Sequence, residues 1–151
     1  MASAIPELTA HLGYWLRHVS NHVSHAFARK LAAKDVTVAD WALVRVLYGK
    51  QPMPPSQLAQ EMGLTRGAIT KLADRLIGKA LIARQPSPDD GRAQTLRLTK
   101  KGAAFVPELA ALADQNEAEC FGQMPDKDRR MLRRILKEAV ARMGITAMPV
   151  E

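Results

Sequence analysis

The sequence predicts a mainly α-helical chain of the α+β class, with its strands confined to one small hairpin. Three observations carry this. Apolar residues recur at helical spacing over most of the 151 residues. Between Leu81 and Thr99 the period falls from about 3.6 to 2. Pro86, Pro88, Asp89, Asp90 and Gly91 then split that alternating stretch into two strands joined by a turn.

Pro6 is expected to open a long first helix reaching Leu31 or Lys34, with Leu8, Leu12, Leu16, Val19, Val23 and Phe27 as its apolar stripe. That stripe is longer than one small core requires, so part of it is expected to pack on a second subunit. All four histidines, His11, His18, His22 and His25, belong to this segment and project within roughly 60° of one another at about 100° per residue. Imidazoles at such spacing can chelate zinc or act as a pH-sensing strip. The reading preferred is a polar flank beside the apolar stripe, lining a subunit interface or solvent. No matching Cys or Glu cluster accompanies them, and no metal site and no cofactor are assigned.

Thr37 is read as the cap of the second helix, with Asp40 completing a variant capping box and Trp41, Leu43, Val44 and Leu47 on the buried side. Tyr48, Gly49, Gln51 and Pro52 end it, and Pro54 and Pro55 pass the chain to Ser56. From there Leu58, Ala59 and Met62 give a short helix one apolar face, and Gly63 stands where it must stop. Thr65 caps the next helix, read as Arg66 to Ala80. Ile69, Leu72, Leu76 and Ile77 face inward there, whereas Arg66, Gly67, Thr70, Lys71 and Asp74 share the far side.

Leu81 to Gln85 and Gln94 to Thr99 follow as strands, with Arg92 at the hairpin tip. A short helix, a turn, a longer basic helix and a two-stranded hairpin are the parts of a winged helix-turn-helix, which makes DNA the first partner to consider. Thr99 caps a third long helix running to about Phe121, with Pro107 near enough to its start to bend it. Pro125 and Asp126 open the last helix, whose Leu132, Ile135, Leu136, Ala139, Val140 and Met143 make a sustained apolar face. One winged lobe does not need so much apolar helix, and a two-fold dimer formed by the terminal helices accounts for it.

The charge is distributed accordingly. The net charge is +7, and between Arg66 and Lys101 the cations Arg66, Lys71, Arg75, Lys79, Arg84, Arg92, Arg97, Lys100 and Lys101 face only Asp74, Asp89 and Asp90. A polyanionic partner is favoured. The second basic cluster, Arg129, Arg130, Arg133, Arg134 and Lys137, is interleaved with acids and reads as a solvated helix face. The single cysteine, Cys120, suits a reducing cytoplasm; no apolar run reaches spanning length, and Met1 to Glu7 lacks the regions of a signal peptide. A cytoplasmic protein with no membrane association is expected. There is no phosphate loop, nucleophile elbow or metal-protease motif, so the chain is not expected to be an enzyme.

The ordered set Leu64-Thr65-Arg66, Leu72-x-x-x-Leu76, Lys79-Ala80-Leu81-Ile82-x-Arg84, Asp90-Gly91-Arg92 and Leu98-Thr99-x-x-Gly102 resembles the DNA-binding lobe of the MarR family of bacterial transcription regulators. Gly91 departs from the basic residue that many members carry there. The resemblance implies a single MarR-like domain over 1–151, with a winged helix-turn-helix lobe at 37–99 and a helical dimerisation lobe at 6–34 and 100–144. It implies a homodimeric, sequence-specific regulator binding an inverted-repeat operator in double-stranded DNA, a repressor released by a small aromatic or lipophilic effector. The alternative is an architectural or adaptor protein that binds DNA without specificity or ligand control.

On this reading Thr65, Arg66, Thr70, Lys71 and Arg75 meet the major groove and its backbone, and Arg92 enters the flanking minor groove. Asp90 orders the wing tip. Tyr14, Trp15, His18, Trp41 and Arg45 are the candidate effector contacts, on helices that the resemblance places near the junction of the two lobes.

Overall fold

In a computed structural model that describes residues 4–151, the chain forms six α-helices and one antiparallel hairpin. The order is α1 (Leu12–Ala32), α2 (Val38–Leu47), α3 (Pro55–Met62), α4 (Arg66–Gly78), β1 (Ile82–Pro86), β2 (Gln94–Leu98), α5 (Lys100–Phe121) and α6 (Asp126–Arg142). The predicted class is the observed one. Part of the Met1–Glu7 stretch read for a signal peptide lies outside the described residues, and no helix among the described residues is long and apolar enough to cross a membrane.

The helix read as Arg66 to Ala80 ends at Gly78, the strands are shifted or shortened by one residue, and three further features differ from the sequence reading. Pro6 does not open the long helix: Leu8–Ala10 make one 3-10 turn, His11 takes an extended conformation, and α1 begins at Leu12. His11 is therefore off the helix that carries the other three histidines. Pro86 is not turn but the last residue of β1, opposite Gln94, at an end where its missing N–H costs no ladder bond. Met53, between the prolines that lead from α2 to α3, exchanges both backbone hydrogen bonds with Leu96, at 2.9 and 2.8 Å. Pro54, directly after it, restricts Met53 to the extended backbone that such a bridge needs.

Capping follows the sequence closely. Thr37 Oγ1 accepts from the Asp40 N–H at 3.1 Å, and Asp40 Oδ2 accepts from the Thr37 N–H at 2.9 Å, a closed capping box. Thr65 and Thr99 accept from the amides of Ala68 and Gly102. At the other ends, α1, α3, α4 and α6 all finish in the same paired-hydrogen-bond turn, with Asp35, Gly63, Ala80 and Gly144 at positive φ. Only the glycine at 63 was legible as a stop.

Ala80 is the strained member of this group, at φ 60° with its side chain exposed. An alanine Cβ crowds the following carbonyl there, and glycine removes the clash. Ala80→Gly is therefore expected to raise stability by about 1 kcal/mol, net of the glycine's larger unfolded-state entropy. Urea denaturation checks this, and a lower midpoint would mean that the methyl group contributes packing.

The core gathers around α2, α3, α4 and the hairpin, with parts of α1 and α5 closing on it. Leu31 at the end of α1, Leu43 and Leu47 of α2, Leu58 and Met62 of α3, Ile69 and Leu76 of α4, Ile82 and Leu96 of the hairpin, and Val106 and Leu109 of α5 are buried in one cluster. Gly102 lets the first turn of α5 close on this body, because a Cβ there would sit 2.0 Å from the Leu81 carbonyl oxygen. Farther along α5, Asn116 donates to the Val23 carbonyl at 3.2 Å and accepts from Lys30, whose ammonium also lies 2.7 Å from Glu119. Hydrogen bonds from Lys30 and Gln115 hold the Glu119 carboxyl below its ordinary pKa.

The two ends of the chain behave differently. Leu12 is 84% exposed, Leu16 and Val19 are at least half exposed, and α6 has no buried residue at all. Met131, Ile135, Leu136 and Val140 line one side of α6 and are exposed.

Candidate nucleic-acid interface

The face built by α4 and the hairpin tip is defined by which cations are already committed. Arg75 donates from Nε and Nη2 to Asp40 Oδ1 at 3.0 and 2.6 Å, and from Nη2 to Thr37 Oγ1. Lys79 reaches the Asp35 carbonyl and lies 3.7 Å from Asp40. Arg84 pairs with Asp74, Arg97 donates to Gln85 Oε1, and Lys101 donates to the Lys79 carbonyl. Among the described residues, the side chains of Arg66, Lys71, Arg92 and Lys100 make no hydrogen bond or ion pair within the chain. Three of these four are the cations expected at the groove and at the wing tip.

Local structure explains why these three are free. Arg66 is the first residue of α4 and Lys71 lies about one turn later, both exposed, while Ile69, Leu72, Ala73 and Leu76 turn inward. Gly67 is exposed between them, and a Cβ added there would meet nothing within 4 Å. The helix backbone is thus bare at the centre of this face. Thr65 accepts at its cap and keeps its hydroxyl proton free for an outside acceptor. Thr70 instead donates back to the Arg66 carbonyl at 3.0 Å, which leaves only its oxygen lone pairs for a partner.

At the wing tip, Asp90 Oδ1 accepts from the Arg92 N–H at 3.0 Å, and the Asp90 carbonyl accepts from the Ala93 N–H. The Ser87 N–H closes the loop on the Ala93 carbonyl at 2.9 Å. This leaves the Arg92 guanidinium exposed beyond an ordered turn.

Arg75, assigned from the sequence to the DNA backbone, is engaged within the chain. Its guanidinium is tied to the fully buried Asp40 and joins α2 to α4, so it is a positioning group before it can be a phosphate contact. Sequence reasoning saw Asp40 only as half of a capping box. The pair is 35 residues apart, and nothing local to either position announces it.

The five candidate effector contacts do not converge within one chain. Tyr14, Trp15 and His18 cluster at the start of α1, with Tyr14 edge-on to His18 at 4.6 Å and the Trp15 indole donating to the Thr9 carbonyl. Trp41 lies apart from them, in a cleft of about 640 Å³ between α1 and α2 that it shares with His25, Phe27 and Val38. Arg45 stands over the Tyr48 ring at 5.9 Å. Among the described residues no group of three His, Cys, Asp or Glu side chains is arranged to hold a metal ion. Cys120 is a half-buried free thiol on α5.

Residues 36–93 match the family model described as MarR family. A probable transcriptional regulator from Pseudomonas aeruginosa is 26% identical, with a TM-score of 0.77 over 88% of this chain and 99% of the other. A mutant MarR from E. coli complexed with operator DNA is 24% identical, with a TM-score of 0.76 over 85% of this chain and 93% of that one. BpsR from Bordetella bronchiseptica, whose DNA binding is regulated by 6-hydroxynicotinic acid, is 19% identical, with a TM-score of 0.78 over 90% and 97%. The last two likenesses bear on the fold alone.

Proposed function

We propose that this chain, a MarR-family protein through its residues 36–93, is a homodimeric, sequence-specific DNA-binding transcription regulator and not an enzyme. The observation that carries the reading is the division of cations: the lobe spends Arg75, Lys79, Arg84, Arg97 and Lys101 on itself and leaves Arg66, Lys71 and Arg92 unpaired on the recognition helix and wing. Leaving charges solvated on one face costs little in the free protein and favours a polyanion by releasing its counterions. Residues 37–99 act as the winged lobe, and 6–34 with 100–144 as the dimer-forming lobe.

The exposed apolar faces of α1 and α6 support the dimer, since a second copy would cover both. Two-fold symmetry would then set two α4 helices in successive major grooves, roughly 34 Å apart, on an inverted repeat. Thr65, Arg66 and Lys71 are assigned to bases and phosphates, Thr70 to an acceptor contact, and Arg92 to the minor groove. The protein is read as a cytoplasmic repressor released by a small aromatic or lipophilic compound. Such a compound acts by binding better to the arrangement in which the two α4 helices no longer match the operator. The Trp41 cleft and the Tyr14, Trp15 and His18 cluster are its candidate contacts.

A salt-titrated binding assay tests this directly, with DNA from upstream of the protein's own gene against a shuffled duplex. Preference for the native fragment with two copies per site is expected. Equal, steeply salt-dependent binding to both would favour an architectural protein instead. In the same assay Arg92→Ala is expected to weaken binding and to reduce the salt slope by about 1. An unchanged slope would take the wing out of the interface.

A further inference from the structure

Helix α6 packs no residue into the core, yet its far end is not free. Gly144, at positive φ, ends the helix with the Ile145 N–H on the Val140 carbonyl at 3.1 Å, and this turns the chain back toward the winged lobe. There the Met148 N–H donates to the Met62 carbonyl at 2.9 Å, the last residue of α3. The segment lies against the helix-turn-helix turn itself: a Cβ on Gly63 would be 2.6 Å from both the Ala147 Cα and the Thr146 carbonyl oxygen. Met148 and Val150 pack against the core cluster, and Met148 and Pro149 form part of the wall of the Trp41 cleft.

We infer that residues 145–150 are a strap that couples α6 to the turn preceding the recognition helix. The physical basis is contiguity. One backbone hydrogen bond, one glycine-dependent close contact and two apolar side chains join a helix with no core contacts of its own to the element that sets where α4 begins. A displacement of α6 is then transmitted to the Met62–Gly63 corner, and a molecule entering the Trp41 cleft meets Met148 and Pro149 as well as α1 and α2. The regulatory meaning rests on the dimer reading above, because α6 is one of the helices assigned to the second copy. The mechanical statement does not.

The test replaces residues 145–150 with a Gly/Ser sequence of equal length. Spin labels are placed at Gln60→Cys on α3 and Ala141→Cys on α6, both exposed, in a Cys120→Ser background diluted with unlabelled chain. With the native strap a narrow distance distribution is expected. With the replacement the distribution should widen on the order of 10 Å, the freedom of a short flexible linker. Equal widths in the two proteins overturn the strap. Sedimentation of the same samples reads the dimer separately, so a monomeric protein with a widened distribution refutes the dimer and supports the strap.

A second measurement serves if the replacement proves poorly folded. Gly63→Ala in the otherwise native chain carries both the left-handed strain and the clash with the strap backbone at Thr146 and Ala147, whereas combined with Met148→Asp and Val150→Asp, which unseat the strap from the core, it keeps mainly the strain. The loss in the folded-to-unfolded ratio should fall toward roughly tenfold in the combined variant. An equal loss in both backgrounds overturns the contact.

Discussion

Asp40→Ala is expected to cost about 3 kcal/mol of stability, a large fraction of what a domain of this size holds. The carboxylate is fully buried and serves two elements at once: one oxygen satisfies the Thr37 N–H at the start of α2, and the other receives both bonds from Arg75 on α4. Hydrogen bonds to a charged acceptor contribute about 1.5–3 kcal/mol, and a lost cap about 1 more. The cost stays below that of breaking a wholly buried pair because the Arg75 side chain is 43% exposed and regains water when its partner goes. Arg75→Ala leaves the opposite defect, a buried carboxylate with Lys79 as its remaining cation at 3.7 Å. Chemical denaturation of both single variants and the double variant checks the argument. Strong non-additivity is expected, and additive losses would mean that the two side chains do not act as a unit.

Arg66→Ala is expected to cost about 1–3 kcal/mol of operator affinity per half-site, with no loss of fold. The second half follows from the structure, since the Arg66 side chain is exposed and makes no hydrogen bond or ion pair among the described residues. A guanidinium that reads a guanine edge carries discrimination as well as attraction, so affinity should become less sensitive to substitutions at one base pair of each half-site. Binding to duplexes substituted one position at a time measures this. A uniform loss with a salt slope lower by about 1 would move Arg66 to a phosphate. Unchanged affinity would remove the start of α4 from the interface.

Local signals carried most of the fold. The capping residues Thr37, Thr65 and Thr99, the stop at Gly63 and the period change near Leu81 each depend on neighbours within a few positions, and each stands in the structure where the sequence put it. The free cations at Arg66, Lys71 and Arg92 were legible for the same reason: an outward face is set by helical spacing, and a hairpin tip by its turn residues. What the sequence could not disclose was long-range. The Asp40–Arg75 pair and the Met53–Leu96 bridge join positions whose separate local meanings, cap and basic helix face, linker and strand, were complete without each other. The seating of Met148 on the end of α3 belongs to the same class. The extended backbone at His11 was hidden differently, because a leucine repeat from Leu8 continues through the break and periodicity alone does not register one residue out of helical conformation.

The Asp40–Arg75 tie also has a meaning for aim. A helix resting on a smooth apolar core can roll about its own axis at little cost, since rolling exchanges one greasy contact for another. Arg75 belongs to the helix that carries Arg66 and Lys71, and its guanidinium is fastened at two nitrogens to a carboxylate that the capping box holds still. That fastening acts as a key in a shaft. With side chains reaching about 5–6 Å from the axis, a roll of only 10° would sweep their tips sideways by about 1 Å, enough to spoil a bidentate hydrogen bond. The inward-turned arginine thus sets the azimuth at which the outward-turned cations leave the helix.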